Sequence, residues 1–80
     1  MTNKTKGEIK RGMASLRTNV AFDRDDGSVY VQFNYGTESF EFGTACNSGM
    51  IVDYVHPYDA DLSFDENLQN AMFGADDFLY

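Results

Sequence analysis

The chain holds one thiol, Cys46, and one imidazole, His56, and a cysteine nucleophile activated by a histidine base is the first chemistry such a pair offers. No local signature of a cysteine hydrolase surrounds either residue, and His56 stands directly before Pro57, where a strand should stop. A small structural thiol and a turn histidine account for both more simply. Carboxylates are the abundant reactive groups, but a glycosidase-like acid and base need two different environments and a sugar-sized cleft, which a chain of 80 residues rarely builds. The run Asp59-Ala60-Asp61-Leu62-Ser63 has the alternating oxygens of a calcium loop. Phe64, however, occupies the place of the required Gly, and Asn70 that of the bidentate Glu. Asp23-Arg24-Asp25-Asp26-Gly27 has an arginine in its middle and its glycine at the wrong offset. These runs read as a polar loop before a capped helix and as a hairpin turn. No Gly-rich phosphate or dinucleotide pattern is present. The expectation is a protein with no catalytic residue, no metal and no cofactor.

The elements that would position these groups follow from spacing. Residues 1–4 read as loose, and Thr5-Lys6-Gly7-Glu8 has the spacing of a capping box. A short helix should follow, with Ile9, Met13 and Leu16 on one face. The period then changes to two. Val20 and Phe22 form one strand, Asp25-Asp26-Gly27 a turn, and Val29, Val31, Phe33 and Tyr35 a second strand. A turn at Gly36-Thr37 leads to a third strand with Phe40 and Phe42 on one face and Ser39 and Glu41 on the other. Residues 50–55 are apolar on both faces, the pattern of a central or covered strand, with Asp53 of undetermined register. Ser63-Phe64-Asp65-Glu66 is a second capping box that opens a helix over 64–73, with Leu68, Met72 and Phe73 as its apolar stripe and Gly74 at C′. The order predicts an α+β fold over a single domain, 1–80. A small antiparallel meander of three to four strands is packed by a short N-terminal helix and a C-terminal helix, leaving Tyr30, Gln32, Asn34, Ser39 and Glu41 on the free face.

A domain of this size has little stability to spare, and a lone cysteine can make no internal disulfide. The core must suffice, and 42% hydrophobic and 15% aromatic residues put the chain well outside the profile of an acidic disordered tail. No apolar run reaches the length of a signal segment or a membrane span. A cytoplasmic protein is expected, in the host cytoplasm if the chain is phage-encoded.

Charge is divided along the chain. All six bases lie in residues 1–24, which sum to +4 after Glu8 and Asp23, whereas residues 25–80 carry eleven acids and no base. Such a surface repels a polyanion, so direct binding of nucleic acid through Lys4 to Arg17 ranks last among the readings. The acidic block suits a basic partner instead. Aromatics interleave with its acids: Tyr54, Tyr58, Phe64, Phe73, Phe78 and Tyr80 lie among Asp53, Asp59, Asp61, Asp65, Glu66, Asp76 and Asp77. Aromatic side chains supply hot-spot energy and rim charges supply on-rate. The candidate partner-binding residues are therefore Glu41, Asp53, Tyr54, Tyr58, Asp59, Asp61, Asp65, Glu66, Asp76, Asp77 and Tyr80.

In size and composition the chain resembles the phage-encoded inhibitors that block host restriction, CRISPR or transcription machinery, some of them by mimicking DNA. The resemblance implies a non-enzymatic interaction module bound to a basic nucleic-acid-handling protein; the sequence leaves monomer and homodimer both open. It rests on no motif and carries over no residue. The chain is less acidic than the strongest DNA mimics and has a basic N-terminus, so steric blocking stands beside mimicry. The end, Gly-Ala-Asp-Asp-Phe-Leu-Tyr, resembles the C-terminal tips through which single-stranded-DNA-binding proteins recruit partners. Its three closing apolar residues favour a tail packed on the core. A third reading is a structural subunit that self-associates through its free sheet face.

Overall fold

The computed structural model describes residues 1–16, 18–25 and 27–79; Arg17, the turn residue Asp26 and the candidate residue Tyr80 lie outside the described residues. The elements run α1 (Asn3–Ser15), β1 (Val20–Arg24), β2 (Gly27–Asn34), β3 (Ser39–Cys46), β4 (Gly49–Pro57) and α2 (Phe64–Leu79). The four strands form one antiparallel meander in the order β1-β2-β3-β4, and the helices make it the expected α+β fold.

Strand alternation sets the core. Val29 and Val31 of β2 and Phe40 and Phe42 of β3 are buried, and Phe33 packs against them from the margin. Phe40 sits at the centre of an aromatic group, with ring centroids 5.2 Å from Phe33, 5.8 Å from Phe64 and 6.0 Å from Tyr58. Ile9, Met13 and Leu16 of the first helical stripe meet this core as expected. Ser39, expected on the free face, is buried, its hydroxyl donating to the Thr37 carbonyl.

Four expectations are corrected by tertiary contacts. Helix α1 starts before Thr5: Thr2 is its N-cap, accepting from the Thr5 amide at 3.1 Å, and the Met1 ammonium pairs with Glu38 at 3.0 Å. Glu8, freed from a local capping box, accepts from the Phe64 amide at 2.8 Å and places its charge at the N-terminus of α2. The second box does form: the Ser63 hydroxyl accepts from the Glu66 amide, and the Glu66 carboxylate accepts from the Ser63 amide. Strand β4, expected to be central or covered, is an edge strand with Ile51, Val52 and Val55 exposed, and α2 covers it at Tyr54. A bulge lies opposite Phe42 and Gly43, which pair with Tyr54 and Val52, so Asp53 is the extra, exposed residue of β4.

The last correction concerns α2, which continues through Gly74 to Leu79. Gly74 is no C′ residue. A β-carbon there would overlap the Tyr54 hydroxyl, so the glycine lets the helix approach β4. The buried stripe of α2 is Phe64, Asn67, Ala71 and Ala75, mostly small residues, which turns the bulkier Leu68, Met72 and Phe73 toward its flank.

Asn67 holds the turn before α2. Its Oδ1 accepts from the Asp59 amide at 2.7 Å, and its Nδ2 donates to the carbonyls of Asp59, Leu62 and Ser63. The Asp59 carboxylate in turn accepts from the Asp61 amide at 2.9 Å. Asn67→Leu keeps the volume but removes the buried amide that bonds the Asp59 amide and three carbonyls, so urea titration should show a loss of about 2–3 kcal/mol. Backbone exchange should quicken across 58–63.

Beside this turn the Tyr58 hydroxyl is buried near Glu8 and Asn67, with no well-formed hydrogen bond to any described residue. Burial raises the phenol above its ordinary value, the Glu8 carboxylate adds to this, and Asn67 opposes it. The folded chain then holds the phenolic proton more tightly than the unfolded chain does. The associated stability is intact below pH ~10 and is lost as pH rises through the raised value. The melting temperature should therefore fall above pH ~10, and Tyr58→Phe should flatten that part of the curve.

Candidate interaction surface

The sequence's two nucleophile–base candidates end far apart. His56 pairs with Phe40 and Cys46 with Gly49 at opposite ends of the β3–β4 hairpin, six residues along β3 and thus roughly 20 Å apart. His56 Nδ1 instead lies 3.2 Å from the Tyr54 hydroxyl under α2. Cys46 is exposed at the end of β3, beside the Asn47-Ser48 turn, and its thiol pKa is lowered by hydrogen bonding to Ser48. Among the described residues no group of three His, Cys, Asp or Glu side chains is placed to hold a metal. No helix among them is long and apolar enough to cross a membrane.

The acidic candidates separate into three places. Glu41 is on the free sheet face, half-buried, with its oxygens accepting from Gln32 at 2.8 Å and Asn34 at 3.2 Å across the strands. Asp53 projects from the bulge beside a cleft of about 130 Å³ shared with Arg24 and Leu79. Asp59, Asp61, Asp65 and Glu66 are exposed around the start of α2, and Asp76 and Asp77 stand in its last turn.

The aromatic residues among these acids lie at different depths. Phe64 is buried, and Tyr54 and Tyr58 are half-buried: Tyr58 packs on Phe33 and Phe40, and Tyr54 on Phe42 and Phe78. Only Phe73 and Phe78 of that set are largely exposed, each at 65% among the described residues. The closing segment is not a free peptide as far as Leu79. It is helical, Phe78 stacks on Tyr54 at 5.3 Å, and Leu79 packs on the core while its carbonyl accepts from Arg24 at 3.0 Å.

One feature joins acid to exposed apolar surface. Between the flank of α2 and Phe22 of β1 runs an open groove of about 430 Å³, walled by Phe22, Leu68, Met72 and Phe73, with Gln69 at mid-length. Asp65 and Asp76 stand at its two ends, eleven helical residues and thus about 16 Å apart. The two acids are unequal in cost to the helix. Asp65 complements the α2 dipole, whereas Asp76 and Asp77 oppose it in a last turn that holds no base of its own, at about 0.3–1 kcal/mol each. Arg24, reaching from β1 to the Leu79 carbonyl, brings a cation to that helix end.

Sequence reasoning puts Leu68, Met72 and Phe73 in one apolar stripe and Asp65 and Asp76 among the acids, but does not join them to one another or to Phe22 and Gln69. The signal was present in the spacing. Residues 65, 68, 69, 72, 73 and 76 recur at i, i+3, i+4, i+7, i+8 and i+11, a single helical stripe.

Fold and surface together define a small α+β protein whose basic first helix and acidic second helix are distinct faces, with an acid-ended apolar groove beside the second. No known protein family matches the chain, and no curated protein or solved structure is significantly similar to it.

Proposed function

We propose that this protein is a small, non-enzymatic interaction module, an inhibitor of the kind phages encode, that binds a basic nucleic-acid-handling protein through the acidic and apolar surface of α2. The observation that carries this reading is the pair of carboxylates, Asp76 and Asp77, in the last turn of α2 beside exposed Phe73 and Phe78. The helix forms despite them, since acids there oppose its dipole. Their use is external. Carboxylates at both ends of an apolar strip give a basic partner fast, salt-sensitive association, while the aromatic residues supply area that leaves water on binding. The exposed acids around Asp59 to Glu66 extend the same field toward the α2 N-terminus.

A second reading has its own observation. Strand β4 is an edge with Ile51, Val52 and Val55 exposed, a template on which another copy can pair. Such a dimer would be indifferent to salt. Affinity capture from host lysate, eluted in salt steps and with DNA as competitor, separates the two. Recovery of a basic nucleic-acid enzyme, released by moderate salt and displaced by DNA, is the expected result. Recovery of the bait protein alone would overturn the proposal in favour of assembly.

A further inference from the structure

The groove narrows what that partner must present, an inference that rests on the interaction reading above. We infer that the groove between α2 and Phe22 receives an amphipathic helix of the partner, one whose apolar ridge is flanked by Lys or Arg residues about three helical turns apart. Three features of the site favour this. First, the long wall is a helix whose backbone groups are already bonded to one another, so the occupant docks by side chains and adds no strand to that wall. Second, the wall is apolar along its length, with Leu68, Met72 and Phe73 facing Phe22, and an apolar ridge at i, i+3/i+4 and i+7 fits such a channel. Third, negative charge is confined to the two ends, Asp65 and Asp76, with the amide of Gln69 between them. An occupant therefore meets carboxylates about 16 Å apart, the rise of eleven helical residues. Charge complementarity makes the occupant basic at those two points. Apart from Ala14, the exposed side chains of α1 are polar or basic, with no apolar ridge, because Ile9, Met13 and the C-cap residue Leu16 face the core. The α1 of a second copy therefore does not meet the description.

The test uses the whole protein and a defined probe. The probe is a fluorescent Ala/Leu peptide of about 18 residues, long enough to be helical alone, with leucines at the ridge positions and two lysines eleven residues apart. A control peptide carries glutamates in place of the lysines. The four methionines, labelled at their methyl carbons, report position: Met72 is in the groove, Met50 is paired with Ala45 at the far end of the β3–β4 hairpin, Met13 packs on the core, and Met1 is at the N-terminus. The expected result is that the lysine peptide binds and shifts Met72 while Met50 stays in place, and that the glutamate peptide does not bind. Asp65→Asn with Asp76→Asn should weaken binding about fivefold at low salt. Asp76→Asn alone should leave the melting temperature unchanged or higher, which separates lost binding from lost folding. Phe73→Ala, at a largely exposed position, should abolish the Met72 shift. A shift at Met50 instead, equal binding of the glutamate peptide, or no binding at millimolar peptide would overturn the inference. So would a dimer that Phe73→Ala converts to monomer, since the groove would then serve a second copy. A basic protein still captured from lysate while the peptide fails would leave the interaction reading standing and remove only the helical occupant.

Discussion

Phe40→Ala is expected to destabilise the protein by about 4 kcal/mol and to lower its melting temperature by roughly 20 °C. Phe40 has no exposed surface and contacts the rings of Phe33, Tyr58 and Phe64, which join β2, the turn before α2, and α2 itself. Truncation removes the ring's transfer energy and leaves a cavity that three aromatic neighbours cannot close without leaving their own contacts. A domain of 80 residues has roughly 4–12 kcal/mol in total, so this substitution takes a third of it or more. Phe40→Leu should lose less than half as much, because most of the volume stays. Thermal unfolding of the pair by circular dichroism checks both values, and equal melting temperatures for Phe40→Ala and the wild type would show that the aromatic group is not the core.

Gly43→Ala should cost about 3 kcal/mol or more for a single methyl group. Gly43 is buried in β3 opposite the β4 bulge, and a β-carbon there would overlap the carbonyl oxygen of Ile51. The obstacle is backbone, so no rotamer change relieves it, and the strands must part where β4 bends around Asp53. The damage should be directional. Amide exchange should rise in residues 49–55 while the β1–β2 hairpin keeps its protection. Gly36→Ala provides the contrast, because its nearest neighbour is the Asn34 side chain at 3.2 Å in an exposed turn. A Gly43→Ala protein as stable as wild type would mean that the bulge can be absorbed by the strands.

Much of the fold is legible in the chain because its signals are local. The alternation through Val29 to Phe33 and Phe40 to Phe42, the hairpin before Gly27, and the Ser63–Glu66 box each involve residues a few positions apart. What sequence reading missed is non-local. Glu8 serves an amide 56 residues away in place of Thr5, and Gly74 mimics a helix stop only because Tyr54 of β4 needs its space. Strand β4 looks central because it is apolar on both faces, yet it is the last strand of a meander. In α2, Ala71 and Ala75 lie fully buried against the sheet, Leu68 and Met72 pack on the core from its flank while also lining the groove, and Phe73 is left largely exposed. The candidate site shares this history. Its charges were visible in the division of acids from bases, whereas its groove exists only through the rotation of α2 and the position of Phe22.

The central claim is that charge and apolar surface on α2 act together on a basic partner, and the most direct measurement is the dissociation constant of the captured partner across a salt series. Between about 50 and 500 mM salt the account predicts steady weakening, with a shallower slope for Asp65→Asn with Asp76→Asn and weaker binding at every salt for Phe73→Ala. A dissociation constant independent of salt and untouched by these substitutions would contradict it, and would direct attention to the exposed edge of β4.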